Sequence, residues 1–161
     1  MSLGLIGRAN IPWLLGTLLI ALALSCISPG AFALDTGQTK TVGGLVVYLG
    51  AIPAEIVKGH PSSHPEIRMH GGPPRGRHEY HLVVAIFDGA SGARVEDAKL
   101  SARVSAIGLV GSTKALEPMQ IAGTTTFGNY FDLPDKGLYT INLVIERPRG
   151  TVRVNFVYEH N

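Results

Sequence analysis

The chain has 161 residues, with 14 Lys and Arg against 12 Asp and Glu, for a formal net charge of +2. The basic residues are scattered, Arg75-Gly76-Arg77 being the densest group, so the basic stripe and aromatic platforms of a nucleic-acid surface are missing. A single cysteine, Cys26, leaves no disulfide framework and no paired-thiol redox site.

Residues 1–33 have the order of a secretory signal. Arg8 is the charge at the start, Leu14–Leu24 is a short apolar run, and Pro29-Gly30 leads to the small-x-small site Ala31-Phe32-Ala33. The run is shorter than the ~20 residues of a membrane span, and widening it to Ile11–Ile27 brings in Pro12, Gly16 and Ser25. A retained anchor and a lipoprotein processed at Cys26 are the alternatives. The residues Ala23-Leu24-Ser25 lack the leucine usually placed three before a lipidated cysteine. Cleavage after Ala33 is expected, leaving residues 34–161 as a single periplasmic or secreted domain with no thiol and no membrane span. That length is enough for a sizeable core.

The mature chain reads as strands. Leu45–Leu49 and Leu82–Phe87 are short apolar runs, the second ended by the turn residues Asp88-Gly89-Ala90-Ser91-Gly92. Lys99–Ala106 alternates, with Leu100, Ala102 and Val104 on one face, and a weaker strand lies near Ala115–Ile121. Thr124–Phe131 is rich in Thr and aromatics. Tyr139–Glu146 puts Tyr139, Ile141, Leu143 and Ile145 on one face, and after Pro148-Arg149-Gly150 the segment Val152–Tyr158 does the same with Val152, Val154, Phe156 and Tyr158. Turn signals recur about every ten residues, and alternation dominates over continuous apolar runs. The expectation is an all-β, immunoglobulin-like antiparallel sandwich of about seven strands. Asp135-Lys136-Gly137-Leu138-Tyr139-Thr140-Ile141 reads as a tyrosine corner, with Tyr139 bonding back to upstream backbone.

The C-terminal third, Gly128-Asn129-Tyr130-Phe131-Asp132-Leu133-Pro134 followed by Gly137-Leu138-Tyr139 and an alternating strand, resembles small bacterial periplasmic sandwich domains of the YtkA-like and FixH-like groups, and more distantly the CopC-like copper-binding sandwich. That resemblance implies an envelope protein associated with copper or with oxidase assembly. CopC-type proteins use a histidine at the mature N-terminus as a copper ligand. Here cleavage leaves Leu34-Asp35, so any metal site has to come from other residues.

Five of the six histidines fall between His60 and His81. Most of them lie in a stretch, about 58–78, that is long and rich in Pro and Gly, and loops of that length are usually functional or disordered. His60 and His64 have i,i+4 spacing, but each precedes a proline, which pushes it out of helical geometry. A shared metal therefore needs a folded-back loop. Met69 beside His70 pairs a thioether with an imidazole in a Gly-rich turn, a donor set suited to copper. His78 and His81 are three apart, so they face the same way only if the strand begins after His78 or carries a bulge. His81 shares its face with Val83, Ala85 and Phe87 and competes as a core or edge histidine. Met119 competes as an apolar residue entering a strand. His160, at the C-terminal end, is expected to be solvated.

The metal-ligand set is thus His60, His64, Met69, His70, His78, His81 and Met119. Glu66 and Glu79 make zinc the rival ion. No Gly-x-Ser-x-Gly elbow, phosphate loop or dinucleotide fingerprint is present, so no enzyme is expected. The function expected is copper handling or delivery. The alternative is an accessory module that presents its Pro/Arg-rich loop or an edge strand to an envelope protein partner.

Overall fold

A computed structural model of the chain describes residues 37–61, 63, 64, 67 and 71–161. The signal segment with Cys26, and the loop residues Glu66, Met69 and His70, lie outside the described residues. Eight antiparallel strands follow in chain order: β1 Thr39–Val42, β2 Leu45–Pro53, β3 Glu79–Asp88, β4 Lys99–Ala106, β5 Ser112–Ile121, β6 Thr124–Asp132, β7 Gly137–Arg147 and β8 Gly150–His160. A short helix, α1 Ala54–Lys58, continues directly from β2. Among the described residues, no helix is long and apolar enough to cross a membrane.

The strands hydrogen-bond in the order β1-β2-β3-β6-β5-β4-β7-β8. β5 divides this sheet into two layers. Its first half pairs with β4, Leu116 opposite Leu100, and its second half pairs with β6, Glu117 opposite Gly128. Where β5 leaves β6, side chains take over from the backbone ladder. Asn129 Nδ2 donates to the Ala115 carbonyl at 2.8 Å, and Lys114 Nζ donates to the Tyr130 carbonyl at 2.6 Å.

The core lies between the layers. Leu45, Val47, Leu82, Val84, Ile86, Phe127 and Phe131 from one meet Leu100, Ala102, Val104, Ile141, Leu143, Ile145 and Phe156 from the other. The alternations read in the β4, β7 and β8 segments are the ones that bury. Eight strands replace the expected seven or so because β1 was not legible: its Thr-Lys-Thr-Val has too little apolar character. It is held as the outer arm of a two-residue hairpin, Val42 opposite Leu45, whose Gly43 and Gly44 both take positive φ, +55° and +74°. Ala122, in the equivalent turn between β5 and β6, takes φ 50° without being glycine.

The tyrosine corner forms. Tyr139 Oη donates to the Asp135 carbonyl at 2.9 Å and accepts the Asp135 N–H at 3.1 Å. His160 corrects the expectation of a solvated ring. It is half-buried, with Nδ1 2.8 Å from the same Asp135 carbonyl and Nε2 2.9 Å from the Tyr80 hydroxyl. A carbonyl only accepts, so Nδ1 carries a proton toward Asp135, and Nε2 shares the other bond with the Tyr80 hydroxyl. The last residue of β8 thereby ties the turn before β7 to the start of β3.

Candidate metal centre

β3 alternates, and its core face is Leu82, Val84 and Ile86. His81 therefore points out of the sandwich, yet it is fully buried. Strand register places its neighbours. His81 lies opposite Tyr130 and Val83 opposite Gly128 across β3–β6, while Met119 lies opposite Thr126 and Glu117 opposite Gly128 across β6–β5. Directly paired residues project to the same side of an antiparallel sheet. His81, Tyr130, Gly128, Met119 and Glu117 thus share the outer face.

Gly128 is the hub. A Cβ built there would stand 2.8 Å from His81 Nε2 and 2.8 Å from Met119 Cε. The imidazole nitrogen and the thioether arm are therefore no more than twice that distance apart. The His81 ring stacks on Tyr130, with centroids 4.6 Å apart and planes at 25°. Met119 and Tyr130 are buried. Glu117, opposite Gly128 in the ladder, is exposed. Ala54 and Val57 of α1 are also fully buried, and none of Ala54, Val57, His81, Met119 or Tyr130 belongs to the inter-sheet core. His81 and Met119 are thus buried outside the inter-sheet core.

Backbone turns follow α1. His60 N–H donates to Val57 O, His64 N–H to Pro61 O and Ile67 N–H to His64 O. These turns bring the His60 and His64 rings to 4.4 Å between centroids, tilted by 53°. Two imidazoles at that separation can ligate one ion side by side. β3 begins at Glu79, after His78, so strand alternation does not set the direction of His78, which is exposed. Its carbonyl accepts the Leu133 N–H at 2.8 Å. Among the described residues, no three His, Cys, Asp or Glu side chains form a metal-holding group. The convergent set on the sheet is instead mixed, one nitrogen and one sulfur, with a carboxylate alongside.

Sequence reasoning named His81 and Met119 but not Gly128, Glu117 or Tyr130. The available signals were a glycine inside an otherwise β-rich segment, which marks a close approach, and the two-residue spacing of Glu117 and Met119, which puts both on one face.

No family model and no curated protein matches the chain. Several solved structures share its fold. The copper-reconstituted P19 protein of Campylobacter jejuni aligns with a TM-score of 0.59 at 11% identity, covering 78% of this chain and 94% of that one. A copper-bound glutamate-to-glutamine variant of FetP from uropathogenic Escherichia coli strain F11 aligns at 0.58 and 14% identity, covering 78% and 95%. FetP was also recombinantly expressed in the E. coli periplasm. A DUF4426 family protein of Pseudomonas aeruginosa PAO1 aligns at 0.57 and 16%, covering 78% and 95%. Membership in the YtkA-like or FixH-like groups is a finer statement than these neighbours carry; at these identities the likeness is one of fold, an all-β architecture that this chain shares with P19 and FetP.

Proposed function

We propose that this is an exported copper-binding protein that carries the ion and hands it to a partner in the cell envelope. The centre is anchored by His81 and Met119, with Glu117 beside them. The observation that carries the reading is the meeting of His81 Nε2 and Met119 Cε over Gly128. A thioether attracts copper, Cu(I) above all, and offers little to zinc or to hard ions. The fold likeness to P19 and FetP, both named as copper-bound, supports the same reading.

The loop supplies the further ligands. His60 and His64 form one imidazole pair, and Met69, His70 and His78 belong to the same segment. Ligands on a loop can be displaced one at a time by an incoming partner, while the sheet residues stay in place. Residues 1–33 act as the export signal and are removed after Ala33, which puts the mature domain in the periplasm. The reading requires no catalytic step.

The test is titration of the purified protein with Cu(I), Cu(II) and Zn(II) by calorimetry, beside the variants His81→Ala and Met119→Leu. One stoichiometric copper site is expected. Met119→Leu keeps the volume and should weaken Cu(I) binding on the order of tenfold or more, with a smaller effect on Cu(II). Equal copper affinity in the wild type and the double variant would overturn the reading.

A further inference from the structure

At the end of β3 remote from His81, the β3–β4 connection and the β7–β8 turn enclose a cavity of about 340 Å³ lined by Asp88, Arg94, Asp97, Arg147 and Arg149. Three guanidinium groups against two carboxylates leave it positive. The walls are preorganised. Asp88 N–H donates to Ala93 O, Gly92 N–H to Asp88 O and Val95 N–H to Ile86 O, each at 2.8–2.9 Å.

The arginines differ in how they are held. Arg94 spends Nε on the Thr125 carbonyl at 2.7 Å and lies over the Phe87 ring, Cζ 4.7 Å from its centroid. Arg149 is exposed in the turn between β7 and β8. Arg147 ends β7, and its Nε is buried without a hydrogen-bond partner among the described residues. A buried N–H left unpaired is costly, so an acceptor is expected there. Asp88 does not fill that place with Oδ1, which already accepts the Ala90 N–H, the Ser91 N–H and the Ser91 hydroxyl at 3.2, 2.9 and 2.8 Å.

We infer that this cavity binds a small oxyanion, held by the guanidinium groups of Arg147 and Arg149, which both line it. The Nε–Nη fork of a guanidinium matches a pair of oxygens, which a carboxylate and a phosphate both present. The cavity takes a small organic acid or an inorganic oxyanion. It shares no residue with the copper centre.

The experiment is calorimetric titration of the copper-free protein with succinate and, separately, with inorganic phosphate, against chloride at matched ionic strength. Saturable one-to-one binding of either is expected, and the stronger arm identifies the source of the oxyanion. Arg147→Met should weaken it by about tenfold or more. Arg149→Gln, on an exposed residue with little folding risk, should weaken it severalfold and decides the matter if the first variant does not fold. Binding no stronger than the chloride control, or binding unchanged in the folded variants, overturns the site.

Discussion

His81 and Met119 come from strands that do not pair with each other, yet their side chains end against the same glycine. β6 lies between β3 and β5, and Gly128 on β6 leaves the space into which His81 Nε2 and Met119 Cε both reach. A Cβ at Gly128 would also meet the Leu82 carbonyl oxygen at 2.8 Å, and a backbone atom cannot swing aside. Gly128→Ala should cost about 1–3 kcal/mol of stability, as overpacking of a filled site does. It should also push the imidazole and thioether apart and weaken copper binding. Urea denaturation and copper titration of the one variant read both effects, and a variant as stable as the wild type would show that the site is looser than its geometry states.

Ala122 holds φ 50° in the turn that joins β5 to β6. An L-residue with a Cβ pays for the left-handed region, and asparagine tolerates it better. Ala122→Asn should therefore stabilise the protein, by about 0.5–1 kcal/mol. A higher urea midpoint with an unchanged slope is the expected result; no gain in midpoint refutes it.

The Tyr139 hydroxyl makes both bonds of the tyrosine corner to Asp135. Tyr139→Phe removes them while keeping the buried ring, so its cost should be close to that of hydrogen bonding, about 1–3 kcal/mol with the Asp135 groups left short of a partner. Chemical denaturation gives the value directly. The Asp135 carbonyl keeps its bond from His160, which should hold the loss toward the lower end.

Two groups shape the pH profile from opposite sides. The Asp88 carboxyl is held below its ordinary 3.8, first by the Ser91 N–H, then by the Ser91 hydroxyl, against the opposing effect of its desolvation, with the Ala90 N–H and the Arg147 charge assisting. Its folded value lies below its unfolded one, so its contribution is complete above pH 3.8 and disappears as pH falls toward the folded value. Burial, and then the charge of Tyr80, pushes Tyr158 above 10.0. Here the folded value lies above the unfolded one, so the contribution is complete below pH 10.0 and disappears as pH rises past it. Asp88→Asn should flatten the acid limb of stability against pH, and Tyr158→Phe the alkaline limb. Urea midpoints across the range would show each limb unchanged if the assignment were wrong.

The corner at Tyr139 was legible because everything it needs is local: a turn, a glycine and a tyrosine four residues after its partner. The same holds for the apolar faces of β4, β7 and β8, where period-two alternation and burial coincide. Met119 was harder. Its burial in a strand could be read, but its face depends on β5 changing partners between Leu116 and Glu117, which no local pattern encodes. His160 was misjudged for a related reason. A terminal histidine looks solvated until β8 brings it beside Tyr80 and Asp135.

The amino-acid sequence by itself determined the β class and the supply of imidazole and thioether groups, because composition and alternation are properties of neighbours along the chain. The tertiary structure alone decided which of those groups meet. Convergence of His81 with Met119 requires three strands in register around a residue with no side chain. That register is set by packing of the two layers rather than by any spacing within one strand.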